Sequence, residues 1–216
     1  MKSVLNYLSA KLVAPREFKA FIEPYREPYE KLKRESSKNY FRKDLGVKGA
    51  ILRARMLGLH KSKGLKILDV GTGPGMFPAV CDWYGHEPVG GDVPSNHESS
   101  LSFGPVCEMF KIDVRPLTIK SPTEGVSEIG GRWDLVTAFL TNFDCGWEGS
   151  GCWSAADWKT FIRIIFKDAL TPGGRFAVLP VGQNKGPVEE VARDFRNVRQ
   201  IPRWGVWIFE NGEENQ

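Results

Sequence analysis

Residues 66–78 read KILDVGTGPGMFP, an apolar run entering a turn where Gly71, Gly73 and Gly75 alternate and Asp69 lies two residues ahead of the first. Such a turn, opening onto a helix, offers bare backbone N–H groups to an anionic part of a ligand. A nicotinamide or flavin turn requires G-x-G-x-x-G, and Met76 stands where the third glycine would be. A phosphate-cradling P-loop requires a Lys-Ser or Lys-Thr pair after the glycines, and none follows. The carboxylate of Asp69 beside the turn would repel a pyrophosphate but suits a ligand that also carries an ammonium group. Asp92 lies 21 residues after Gly71, where a carboxylate can accept both hydroxyls of a ribose. Asp113 is the third acid of the series, expected at the end of a third strand beside an adenine edge, with the Val114 amide reading a ring nitrogen.

These residues must be held by regular elements. Short β-type runs alternate with helical ones: KILDV (66–70), a helix from about Pro74 to Tyr84, EPVGGDV (87–93), VCEMFKIDV (106–114) and WDLVTAFL (133–140). A long helix is expected over roughly 155–170, with Ser154 and Asp157 as a capping box and Trp158, Phe161, Ile162, Ile165, Phe166 and Ala169 as its apolar stripe. TPGG should stop it, and RFAVLPV (175–181), the helical PVEEVARDFRN and GVWIFE (205–210) follow. Residues 115–131 read as loop. Alternating strands and helices imply βαβ units and a parallel sheet covered on both faces.

The chain has 216 residues, 41% of them hydrophobic and 26% charged, enough for one domain with a sizeable core plus an appended segment. Its apolar runs fall far short of the ~18 residues a membrane span needs, and the start of the chain makes a poor secretory signal. Cys81, Cys107, Cys145 and Cys152 lack C-x-x-C spacing and are expected to be buried small hydrophobes, in keeping with a cytoplasmic protein. No His, Cys and Asp grouping has metal-ligand spacing, so no metal is expected; His60, His86 and His97 read as cap, turn and loop residues. Charge is uneven: residues 1–66 hold 17 Lys+Arg against 6 Asp+Glu, a net of +11, while the remainder is net −7. A basic stretch with aromatics can bind nucleic acid. Phe18, Phe21, Ile22, Tyr25, Tyr29 and Leu32 also recur at helical spacing, and packing on the main domain is the expected use of that face.

S-adenosylmethionine combines an ammonium, a carboxylate, a ribose and an adenine, and so fits this series of residues. The motifs LDVGTGPG, GGDV, FKIDV, WDLVTAFL and LTPGGRFAVLPV give residues 60–210 a resemblance to the class I (Rossmann-like) S-adenosylmethionine-dependent methyltransferases. The resemblance implies a seven-stranded, mostly parallel α/β sheet with helices on both faces. NVRQIP and RWGVWIFE would supply its last two strands, and an N-terminal helical segment, residues 1–60, would precede the domain (61–216) as a lid. It also implies that Asp69, Gly71, Thr72, Gly73, Pro74 and Gly75 flank the methionine end. Asp92, with Val93, would hold the ribose, Asp113 and Val114 the adenine, and Leu140 and Thr141 would border the transferred methyl.

Substrate in this architecture belongs at the carboxyl ends of the strands, here TNFDCGWEGSGCW (141–153). Asn142 and Asp144 are the candidate catalytic residues, with Phe143, Trp147 and Trp153 as walls; Trp153 equally suits the core beneath the long helix. The [ND]-P-P-[YFW] signature of amino-directed enzymes is absent, since the chain reads Asn142-Phe143-Asp144-Cys145. The expected activity is methyl transfer to an O or N atom of a small or medium-sized acceptor. The alternatives are an RNA methyltransferase using the basic N-terminal segment, and a non-catalytic S-adenosylmethionine-binding regulator.

Overall fold

A computed structural model describes residues 13–35, 44–94, 103–123, 130–141 and 152–211. Seven strands form one sheet: β1 (Lys66–Val70), β2 (Glu87–Asp92), β3 (Val114–Pro116), β4 (Trp133–Phe139), β5 (Leu170–Leu179), β6 (Val198–Ile201) and β7 (Val206–Glu210), in the order β3-β2-β1-β4-β5-β7-β6. β1 and β5 both run parallel to β4, with Leu68 and Phe176 each opposite Val136. β7 is antiparallel to both β5 and β6. Between β1 and β2 the bonds Glu87 N–H to Leu65 and Gly71 N–H to Gly91 ascend in step, as parallel strands require. The chain divides into two compact units, one of residues up to Leu65 with Thr72–Gly90 and Pro94–Val114, the other of Lys66–Gly71, Gly91–Val93 and everything from Arg115.

The first unit carries α1 (Pro15–Ile22), α2 (Arg26–Glu35), α3 (Leu45–Met56), α4 (Met76–Trp83) and α5 (Gly104–Phe110). Pro15 opens α1 where its missing N–H costs nothing. Val47, Ala50, Ile51 and Ala54 form the buried stripe of α3 at helical spacing. The aromatics of the basic segment are used for packing, as expected. Phe21 and Tyr29 are fully buried, and the Phe21 ring lies 5.7 Å from Trp83 and 5.6 Å from Phe110. Glu17 ties α1 in place by accepting from the Tyr84 hydroxyl at 2.6 Å and from Arg55 Nη1 at 2.9 Å. Burial, then the hydrogen bond to Glu17, pushes the Tyr84 phenol well above its ordinary pKa. His86 is buried in the turn before β2: Nδ1 accepts from Leu65 N–H, so Nε2–H donates to the Leu59 carbonyl at 2.9 Å.

The second unit holds α6 (Ala155–Ile164), which continues through a π-type turn to Ala169, and α7 (Lys185–Val191). The capping box is present: the Ser154 side chain accepts from Asp157 N–H, and the Asp157 carboxylate accepts from Ser154 N–H at 2.9 Å. Trp153 is buried and packs edge-on against Trp158 at 5.2 Å, so it belongs to the core beneath this helix. Central strands are apolar on both sides, with Ile67, Leu68, Leu135, Val136, Phe176 and Ala177 all buried.

Three expectations need correction. Residues 106–114 are not one strand: α5 begins at Gly104 with Pro105 in its first turn and buries Val106, Cys107 and Phe110, Lys111 ends it in a left-handed conformation, and β3 begins at Val114. Asp113 therefore precedes its strand instead of ending it. TPGG does not separate helix from strand but lies inside β5, accommodated by a register shift opposite Trp133 and Leu135. Cys81 and Cys107 are buried thiols, whereas Cys152 is in a disulfide. Among the described residues, no helix is long and apolar enough to cross a membrane.

Candidate functional site

β1 delivers Asp69 to the start of the turn with its side chain inside the sheet. Asp69 is 4% exposed, and its Oδ1 accepts a 2.6 Å hydrogen bond from the hydroxyl of Thr137, a fully buried residue opposite it on β4. Thr137 is a functional candidate that the sequence did not mark. Its hydroxyl turns the carboxylate and offsets part of the cost of burying a charge.

The turn leaves β1 at Gly71, whose φ is +68°. A Cβ there would lie 2.7 Å from Thr141 Oγ1, which donates a 2.9 Å bond to the Val70 carbonyl. Both the conformation and the close approach of Thr141 require glycine. Gly71 N–H donates to the Gly91 carbonyl at 2.7 Å, which joins the turn to the end of β2 that carries Asp92. Asp92 is 6% exposed, and its Oδ1 accepts from Val93 N–H at 2.8 Å. The second unit thus holds Asp69, Gly71, Asp92, Val93 and Thr141 at the carboxyl ends of β1, β2 and β4, through separate hydrogen bonds to Thr137, Gly91 and Val70 and between Val93 and Asp92.

In the first unit, Thr72 is buried, and a Cβ on Gly90 would fall 2.7 Å from Thr72 Cγ2, so Gly90 makes the space the turn occupies. Gly73 and Gly75 have left-handed backbones, and the Cys107 thiol lies 3.6 Å from the Gly73 carbonyl. The Asp113 carbonyl accepts from Gly90 N–H at 2.8 Å, and Val114 is half-buried at the start of β3.

Leu140 follows β4 with φ +61° and a 54% exposed side chain, while its N–H is held by the Leu179 carbonyl at 3.1 Å. A branched residue in that conformation is strained, and such strain concentrates where a ligand needs the side chain. Asn142, Asp144, Phe143, Trp147 and His97 lie outside the described residues. No group of three His, Cys, Asp or Glu side chains that could hold a metal occurs among the described residues.

No protein-family model matches the chain, and no curated protein matches it in sequence. Its fold, however, recurs among solved structures. An N-methyltransferase, NodS from Bradyrhizobium japonicum, solved with S-adenosylhomocysteine, aligns over 86% of this chain and 99% of its own, with TM-score 0.52 and 14% identity. A putative O-methyltransferase from Nostoc punctiforme aligns over 95% and 72%, with TM-score 0.51 and 13% identity. A TehB-like methyltransferase from Corynebacterium glutamicum aligns over 88% and 97%, with TM-score 0.50 and 16% identity. The architecture is therefore the Rossmann-like α/β fold of class I methyltransferases.

Proposed function

We propose that this protein binds S-adenosylmethionine and transfers its methyl group to an O or N atom of a small or medium-sized acceptor. The observation that carries the reading is the placement of buried Asp69, the left-handed Gly71 turn, buried Asp92 and Thr141 together at the carboxyl ends of β1, β2 and β4. It pairs a backbone turn suited to a carboxylate with one acid suited to an ammonium and a second suited to a diol. The N- and O-methyltransferases that share the fold support the same reading.

When bound, the cofactor supplies an electrophilic methyl carbon on a positively charged sulfur. The chain's own work is then to bind, to align and to exclude water. Asp92 would accept both ribose hydroxyls, with Val93 beside it. The turn from Gly71 through Thr72, Gly73, Pro74 and Gly75 would present N–H groups to the methionyl carboxylate, with Asp69 facing the ammonium. Asp113 and Val114 would read the adenine. Leu140 would hold apolar surface against the reacting end and keep water out, with Thr141 fixing the turn behind it. Asn142 and Asp144 would orient the acceptor, and Asp144 would take its proton where the acceptor must lose one. Residues 1–60 would serve as a lid; their buried aromatics favour docking over an RNA-binding arm.

The test is a screen of phenols, carboxylates, amines and sugars with release of the homocysteine product as readout. Acceptor-dependent release is the expected result. Tight cofactor binding with no release across the panel would favour a regulatory binding protein.

A further inference from the structure

One charged groove carries cations that neither the packing nor the proposed reaction uses. His60, Lys61, Ser62 and Lys63 precede β1, and Trp83, Tyr84 and Gly85 precede β2; together they line an open groove of about 530 Å³ within the first unit. The glycine turn and Asp92, by contrast, lie at the chain ends where those strands finish. Trp83 is 39% exposed, and Trp83 and Leu140 are the exposed large hydrophobics among the described residues. The Trp83 ring is steadied by Phe21 and by Tyr84, whose ring lies 4.9 Å away.

The cations beside it are not spent on the fold. Lys61 and Lys63 make no ion pair among the described residues. The Lys63 stem lies over Gly85, where a Cβ would approach its Cδ to 3.3 Å, and Lys63 lines the groove. Burial, then the charges of Arg55 and Lys61, hold His60 below the ordinary imidazole pKa, with Glu17 opposing them. Glu17 itself is engaged by Arg55 and Tyr84.

We propose that this groove binds a phosphorylated, base-bearing ligand, with a nucleobase on the Trp83 ring and phosphate between Lys61 and Lys63. A flat, amphipathic ring that lines the groove and is partly exposed is the kind of platform on which bases of any sequence stack. Two ammonium groups on one short turn, neither in an ion pair among the described residues, match adjacent phosphates. Single-stranded nucleic acid and a free nucleotide share this chemistry. Lys61, Lys63 and Trp83 have no role in the methyl-transfer reading, so the two are tested separately.

The test measures anisotropy of a fluorescein-labelled ten-residue oligoadenylate, with AMP as competitor, on the full chain. Two neutralised phosphates give a salt slope of about 1.4, so affinity should fall about sevenfold between roughly 50 and 200 mM salt through these lysines alone. Lys61→Ala/Lys63→Ala should lose that increment, and Trp83→Leu should weaken binding about fivefold or more. S-adenosylhomocysteine affinity should not change in either variant. Competition by AMP assigns the groove to a free nucleotide; binding of the oligomer without such competition assigns it to nucleic acid. Oligomer binding that is absent in the wild-type protein, or that keeps its affinity and salt slope in the lysine pair variant, overturns the proposal. The lysine pair is decisive even if Trp83→Leu disturbs the packing on Phe21.

Discussion

Thr137→Val removes one hydroxyl and keeps the shape of the side chain. In the folded protein that hydroxyl gives Asp69 a 2.6 Å hydrogen bond inside the sheet, where Asp69 is 4% exposed and Thr137 fully buried. A hydrogen bond to a charged group contributes about 1.5–3 kcal/mol, and the buried carboxylate cannot recover it from water. At about 2–4 °C per kcal/mol for a chain of this size, the melting temperature should fall by roughly 3–12 °C. The carboxylate should also lose its fixed orientation toward the turn, so S-adenosylhomocysteine should bind about tenfold more weakly if Asp69 meets its ammonium. Thermal unfolding by circular dichroism and titration calorimetry read the two effects separately, and a cycle with Asp69→Asn isolates the pair. A Thr137→Val protein that melts within about 1 °C of wild type and binds the ligand equally would refute the reasoning, because the shortfall exceeds any expected compensation.

Gly71→Ala should cost about 1–2 kcal/mol in left-handed strain alone, and its collision with Thr141 should weaken cofactor binding further; calorimetry beside a melting curve separates the two. Tyr84 keeps its proton in the folded state where the unfolded chain begins to lose one near pH 10, so its contribution is complete below that pH and is lost as pH rises. Tyr84→Phe should therefore show a shallower loss of stability in melts above about pH 10 than wild type. If Asp144 removes a proton, Asp144→Asn should lower turnover by about 10²–10⁴ and abolish the acidic limb of the pH profile; if it only orients the acceptor, much of the rate should remain.

Local signals in the sequence carried the parts of the fold that local physics decides. KILDV is a buried strand because four of its five residues are buried, and the turn after it needs its glycines. Ser154 and Asp157 cap α6 through contacts three residues apart. VCEMFKIDV misled because Val106, Cys107, Phe110 and Ile112 suit either period, and the packing that selects the helix comes from Phe21 and Tyr25, 89 and 85 residues before Phe110. TPGG misled because its glycines serve a register shift against β4, which only the paired strand reveals. The Asp69–Thr137 bond spans 68 residues and depends on strand register, so no motif announces it. His86 is equally silent: its partners are the backbones of Leu59 and Leu65, which any sequence presents.

The central claim is that Asp92 and the Gly71 turn hold S-adenosylmethionine, and calorimetric titration of wild type and Asp92→Ala tests it most directly. Wild type should bind S-adenosylmethionine and S-adenosylhomocysteine in the micromolar range, about −8 kcal/mol, and NAD far more weakly. Asp92→Ala removes two charge-assisted hydrogen bonds, with partial replacement by water, and should weaken binding by about 2–4 kcal/mol, roughly 30- to 800-fold. Equal affinity for NAD, no heat with either sulfur ligand, or normal binding by Asp92→Ala would contradict it.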